Sequence, residues 1–120
     1  MSVRVRPVFC GLDAAMEVIS GKWKVLILWA LRHQPQRFGA LKRLVPGVSE
    51  KVLIQQLREL EADGIVLRTT FDDAPLRVEY SLTPMGVALN EALEPLGSWG
   101  REHLPARPER EVVPVKAAES

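Results

Sequence analysis

The sequence predicts a mainly α-helical fold with one small β-hairpin, and three observations lead to that class. Apolar residues recur at steps of three and four through residues 12–62 and again from 84 onward. Between these regions the period changes to two, in segments rich in β-branched and aromatic residues. Glycine, proline and hydroxyl residues fall at the seams, where helices and turns need them.

The first nine residues, MSVRVRPVF, have no period and read as an arm. Leu12, Ala15, Met16 and Ile19 then define a first helix, which SG at 20–21 interrupts. A second helix follows in KWKVLILWALRHQ. It is apolar nearly all round, as a central helix should be, and Gln34 before Pro35 is a natural stop. Phe38, Leu41, Leu44 and Val45 oppose Lys42 and Arg43 on a short third helix closed by Pro46 and Gly47.

In SEKVLIQQLRELEADG, residues 49–64, Ser49 is placed to cap a fourth helix and Gly64 to end it. Leu53, Leu57 and Leu60 form its apolar stripe, with Lys51, Gln55 and Arg58 nearly opposite. IVLRTTF and LRVEYSL, separated by DDAP, form the hairpin. Thr83 and Pro84 then start a last helix, on which Met85, Leu89, Leu93, Leu96 and Trp99 line up. That stripe covers this chain's own core or meets a second copy of itself. Pro95 is expected to kink the helix. From Pro105 to Ser120 the chain is rich in proline and charge, which predicts a disordered tail. The organisation is therefore an arm at 1–9, one domain at 10–104 and a tail at 105–120.

Composition narrows the function. The single cysteine, Cys10, excludes an intramolecular disulfide, and His33 and His103 stand too far apart for a zinc pattern. The longest apolar run, VLILWAL, falls well short of the roughly 20 residues that span a bilayer, and no signal-peptide pattern opens the chain. A soluble protein of the reducing cytoplasm is expected. Neither histidine has an evident partner, and there is no nucleophile elbow, phosphate loop or cofactor motif, so an enzyme is not expected. Residues 1–60 carry 10 basic against 4 acidic side chains, and residues 61–120 carry 6 against 11. A nearly neutral chain can thus present one basic side, although a solvated basic face is the commoner meaning of such a cluster.

Helix, tight turn, helix, hairpin and final helix is the order of a winged helix-turn-helix, in which the second helix of the motif enters the DNA major groove. Gln55 can then present its amide to adenine, and Val52 can touch a thymine methyl. Lys51 and Arg58 can reach guanine or phosphates, while Ser49 and the helix start, with Arg37 and Lys42 from the preceding helix, can hold phosphate. On the wing the acidic tip, Asp72 and Asp73, would be repelled by DNA, which leaves Arg68 and Arg77 on the strands; Arg77 can equally pair with Glu79. Trp23 and Trp29 read as core, and Trp99 as an anchor for a dimer interface.

MEVISGKWKVLILWAL, RFGALKRLVPGVSEKVLIQQLRELEADGIV and RVEYSLTPMG, in this order, resemble the HxlR-type transcriptional regulators, winged-helix proteins related to the MarR group. The resemblance runs from about Cys10 to His103. It implies a homodimer on double-stranded operator DNA with an inverted repeat, dimerised through the first and last helices and acting as repressor or activator. In such a dimer Met16, Leu89, Leu93, Leu96 and Trp99 would meet the partner. The recognition helix falls on residues 49–63 and the wing on 65–82, and a bacterial member would sit on the nucleoid. Cys10 stands thirteen residues before Trp23, as the family's cysteine does, but Gly11 follows it where many members have proline. In some members that cysteine senses electrophiles or oxidants. A helix N-terminus with Arg4 and Arg6 nearby would favour thiolate at Cys10; the alternative is a half-buried thiol without a redox role. A different class of function, a winged helix that binds protein and not DNA, is compatible with the same fold.

Overall fold

The computed structural model describes residues 10–72 and 74–105. The arm at 1–9, Asp73 of the wing tip and the tail from 106 onward lie outside the described residues. The element order is α1 (Leu12–Val18), α2 (Trp23–Ala30), β1 (Gln36–Arg37), α3 (Phe38–Leu44), α4 (Glu50–Ala62), β2 (Val66–Phe71), β3 (Arg77–Leu82) and α5 (Pro84–His103).

The core forms where the stripes of α2, α3 and α4 converge. Ile27, Leu28, Leu41, Leu53, Leu57 and Leu60 are fully or almost fully buried there, and Val45, Val48, Ile65 and Val66 close it. Burying each such side chain contributes about 1.5–3 kcal/mol, so the leucine row at 53, 57 and 60 is what seats α4. Local chemistry then fixes the ends of that helix. Ser49 is its N-cap, with Oγ accepting from the Val52 N–H at 3.1 Å. At the other end Gly64 takes φ +77°, its N–H donates to Glu61 O at 3.0 Å, and the Ile65 N–H donates to Leu60 O at 2.9 Å. This paired closure requires a left-handed residue, which glycine supplies without strain.

β2 and β3 form the expected antiparallel hairpin, with Val66 opposite Leu82 and Phe71 opposite Arg77. The sheet has a third strand that periodicity did not predict: β1 pairs with β3, Gln36 opposite Tyr80 and Arg37 opposite Glu79, giving the order β1-β3-β2. Two residues are too short to show a period.

Thr83 ties the last helix to the end of α4. Its hydroxyl donates to Gly64 O at 2.7 Å and accepts from the Gly86 N–H at 3.0 Å. Gly86 is buried against Ile65, where a β-carbon would run into the Ile65 carbonyl oxygen. α5 continues through Pro95 as one helix. α2 ends at Ala30, earlier than Gln34: the Leu31 N–H is already shared with the i−3 carbonyl of Leu28, and the Arg32 N–H bonds to the i−3 carbonyl of Trp29, which tightens the chain into a closing turn.

Two expectations about burial change. α2 is central on one side only: Leu26 is 37% and Trp29 39% exposed. Trp29 is therefore not a core residue of the single chain. Its ring carries the Arg32 guanidinium at 3.5 Å, whose Nη1 donates to Trp29 O at 2.9 Å. Burial lowers the Arg32 pKa, and nearby Glu94 opposes the shift. Trp23 does pack against the core.

Candidate nucleic-acid interface

The face of α4 opposite its leucine stripe is open. Lys51, Gln55 and Arg58 are exposed and lie within one strip, because steps of four and three residues return to the same side of a helix. Ser49 is exposed at the start of the helix, beside helix N–H groups that carry partial positive charge. Arg37 is exposed but stands on β1, at the N-cap of α3, and not within the preceding helix; pairing with β3 places it at the edge of the wing. Lys42 lies in the last turn of α3, partly buried.

Val52 is half-buried and packs against the core, so its methyl groups serve the fold. The exposed apolar side chain of this helix is Ile54, 39% exposed, three residues after Lys51 and four before Arg58. Sequence reading passed over it because it lies on the flank of the polar strip. The i, i+3, i+7 relation from Lys51 would have found it. Ile54, Arg58 and Glu61 line one side of an open cleft of about 500 Å³ whose far side is the wing, with Arg68, Val78 and Tyr80. The tertiary fold thus brings Arg58 and Arg68, ten residues apart in sequence, to one groove.

The wing cations are used differently. Arg68 is exposed, with a long 3.5 Å contact from Nη1 to Thr70 Oγ1. Arg77 pairs with Glu79 at 2.5 Å and covers the Phe71 ring at 4.0 Å, so its guanidinium is engaged within the hairpin. A second missed feature lies beneath α4. Lys24 of α2 is buried and forms an ion pair with Glu59, which also accepts from the Gln55 side chain. A lysine inside an otherwise apolar run was the signal.

The first and last helices remain largely uncovered. α1 has no buried residue, and Leu12 and Met16 are 65% and 49% exposed. The stripe of α5 divides: Leu89 and Leu93 pack against the core, while Met85, Leu96 and Trp99 are exposed, Trp99 by 52%. The Trp99 ring stacks on His103 at 5.1 Å. Cys10 is exposed and free, not half-buried, and its N–H lies 3.4 Å from Asp13 Oδ1 just ahead of α1. Among the described residues no three His, Cys, Asp or Glu side chains gather as a metal site, and no helix is long and apolar enough to cross a membrane.

A short helix, a tight turn, an amphipathic helix with an exposed basic and amide strip, and a flanking hairpin together define a winged helix-turn-helix protein. Comparison with known proteins then gives the family. The chain belongs to the HxlR-like helix-turn-helix family, whose model matches residues 18–108, and it is a transcriptional regulator of the helix-turn-helix type. It is 47% identical over 91 residues to the HTH-type transcriptional regulator YkvN of Bacillus subtilis, covering 76% of this chain and 77% of the relative. A solved structure described as a MarR-family transcriptional regulator from Enterococcus faecalis V583 is 42% identical with a TM-score of 0.72, covering 77% of this chain and 84% of that one. The redox regulator HypR in its reduced form is 37% identical with a TM-score of 0.72, covering 76% and 90%.

Proposed function

We propose that the protein binds an inverted-repeat operator as a homodimer and regulates transcription from it. Each subunit lays α4 in the major groove, and the two helices lie about one helical turn, roughly 34 Å, apart. The observation that carries this reading is the strip of Lys51, Gln55 and Arg58, exposed on a helix that Ser49 caps, otherwise seated on the core and flanked by a wing. Ser49 and Arg58 hold phosphates, with Arg37, Lys42 and Arg68 around them; Gln55 reads a base edge and Ile54 offers an apolar contact to thymine. Arg77, paired with Glu79, serves chiefly to hold the wing.

Dimerisation is supported by the uncovered apolar residues of the first and last helices, Leu12, Met16, Leu96 and Trp99. Large apolar side chains left in water are of the kind that partner subunits cover. Exposure of Cys10, together with the likeness to a structure described as a redox regulator, supports a response to oxidants or electrophiles through this thiol.

Footprinting on the promoter beside the protein's own gene tests the DNA reading. A protected inverted repeat, with affinity that falls steeply as salt rises, is expected. Failure to retard any duplex at low salt would instead make the domain a protein-binding winged helix. Operator binding by wild type and Cys10→Ser, before and after a mild thiol oxidant, tests the sensor: identical responses remove Cys10 from that role.

A further inference from the structure

Among the described residues Lys24 is the one charged side chain that is buried, with 2% of its surface exposed. It interrupts the apolar run of α2 at a place where Ile27, Leu28, Leu53 and Leu57 already build the shared core. Its Nζ lies 2.5 Å from Oε1 of Glu59 on α4. The other oxygen of that carboxylate accepts from Gln55 Nε2 at 3.2 Å. A buried charge is thereby connected, through one carboxylate, to the outward amide of α4.

We propose that Lys24 and Glu59 are positioning residues that set which base Gln55 reads; the proposal rests on the DNA-binding role of α4 given above. A carboxylate paired with an ammonium accepts hydrogen bonds and donates none, so only the NH2 end of the Gln55 amide can face Glu59. The amide oxygen and the second N–H are then left to point outward. Adenine presents a donor and an acceptor side by side in the major groove and matches that pattern, whereas guanine presents two acceptors. An unrestrained glutamine can turn both N–H groups outward, toward the two acceptors of guanine. Glu59 holds one N–H and so leaves the amide oxygen outward, where it would oppose one of those acceptors, and Lys24 keeps Glu59 in place from below.

The test is selection of binding sites from a random duplex library, followed by affinities on paired duplexes that differ at the selected base. Wild type is expected to select one adenine per half-site that Gln55→Ala no longer selects. In the double variant Lys24→Met/Glu59→Ala the preference for adenine over guanine there should fall about tenfold, the scale of one mis-set bidentate pair. Its affinity for random duplex should stay within about twofold of wild type, because the double change leaves net charge unaltered. If that variant does not fold, Lys24→Met alone, which fills the buried position with apolar atoms, is expected to lose the preference in the same direction. Wild-type base preference in the variant that folds overturns the inference while the DNA reading stands. No duplex selected by the wild type overturns both.

Discussion

Removing the Glu59 carboxylate should damage this protein far more than removing the lysine beneath it. Lys24 is 2% exposed and its partner side chain 38% exposed, so the ammonium is desolvated while water still reaches the carboxylate. Glu59→Ala leaves the ammonium buried without its carboxylate, and breaking a buried pair in this way costs about 3–5 kcal/mol. Partial exposure of Glu59 points to the lower end, about 3 kcal/mol. In a domain of this size each kcal/mol moves the melting temperature by about 4–8 °C, so Glu59→Ala should melt roughly 12–24 °C below wild type. Lys24→Met leaves the carboxylate hydrated and fills the core, and should change stability by less than about 1.5 kcal/mol; adding it to Glu59→Ala should recover most of the loss. Thermal denaturation followed by circular dichroism, at one fixed protein concentration because association shifts the midpoint, measures all four forms. A Glu59→Ala midpoint close to wild type, or no recovery in the double variant, would refute the claim that Lys24 depends on this carboxylate.

Four further outcomes are expected. Ser49→Ala loses the cap on the Val52 N–H, should destabilise by about 1 kcal/mol in urea unfolding, and should weaken binding to operator and random duplex alike. Gly86→Ala drives a β-carbon into the Ile65 carbonyl and should cost about 1–3 kcal/mol as α5 shifts; an unchanged denaturation midpoint would mean that the junction is looser than described. Trp99→Ala should weaken self-association by roughly 30-fold in sedimentation equilibrium, as the loss of a 2 kcal/mol anchor does, with little change in helical content. Gln55→Ala should cost about 1–3 kcal/mol on operator and relax one position, whereas Lys51→Ala should weaken all duplexes; equal losses for both variants on operator and random DNA would defeat this division of roles.

The order of helices, the hairpin and the helix-turn-helix were legible in the sequence because they depend on local rules. Leu53, Leu57 and Leu60 repeat at helical spacing, Ser49 and Gly64 carry the chemistry of helix ends, and residues 65–82 change period. The outward strip of Lys51, Gln55 and Arg58 followed from the same geometry. β1 was not legible, since a two-residue strand exists only through its pairing with β3. Nor was the fate of individual side chains. Val52 turns inward and Trp29 remains partly in water because the neighbours that cover a residue come from distant parts of the chain. The sequence by itself determined the helices, the hairpin and the polar face that α4 leaves open. Only the tertiary structure joined Arg58 to Arg68 across a groove and placed Lys24 under Glu59, because contacts between residues far apart in sequence depend on how elements pack and leave no periodic trace within either segment.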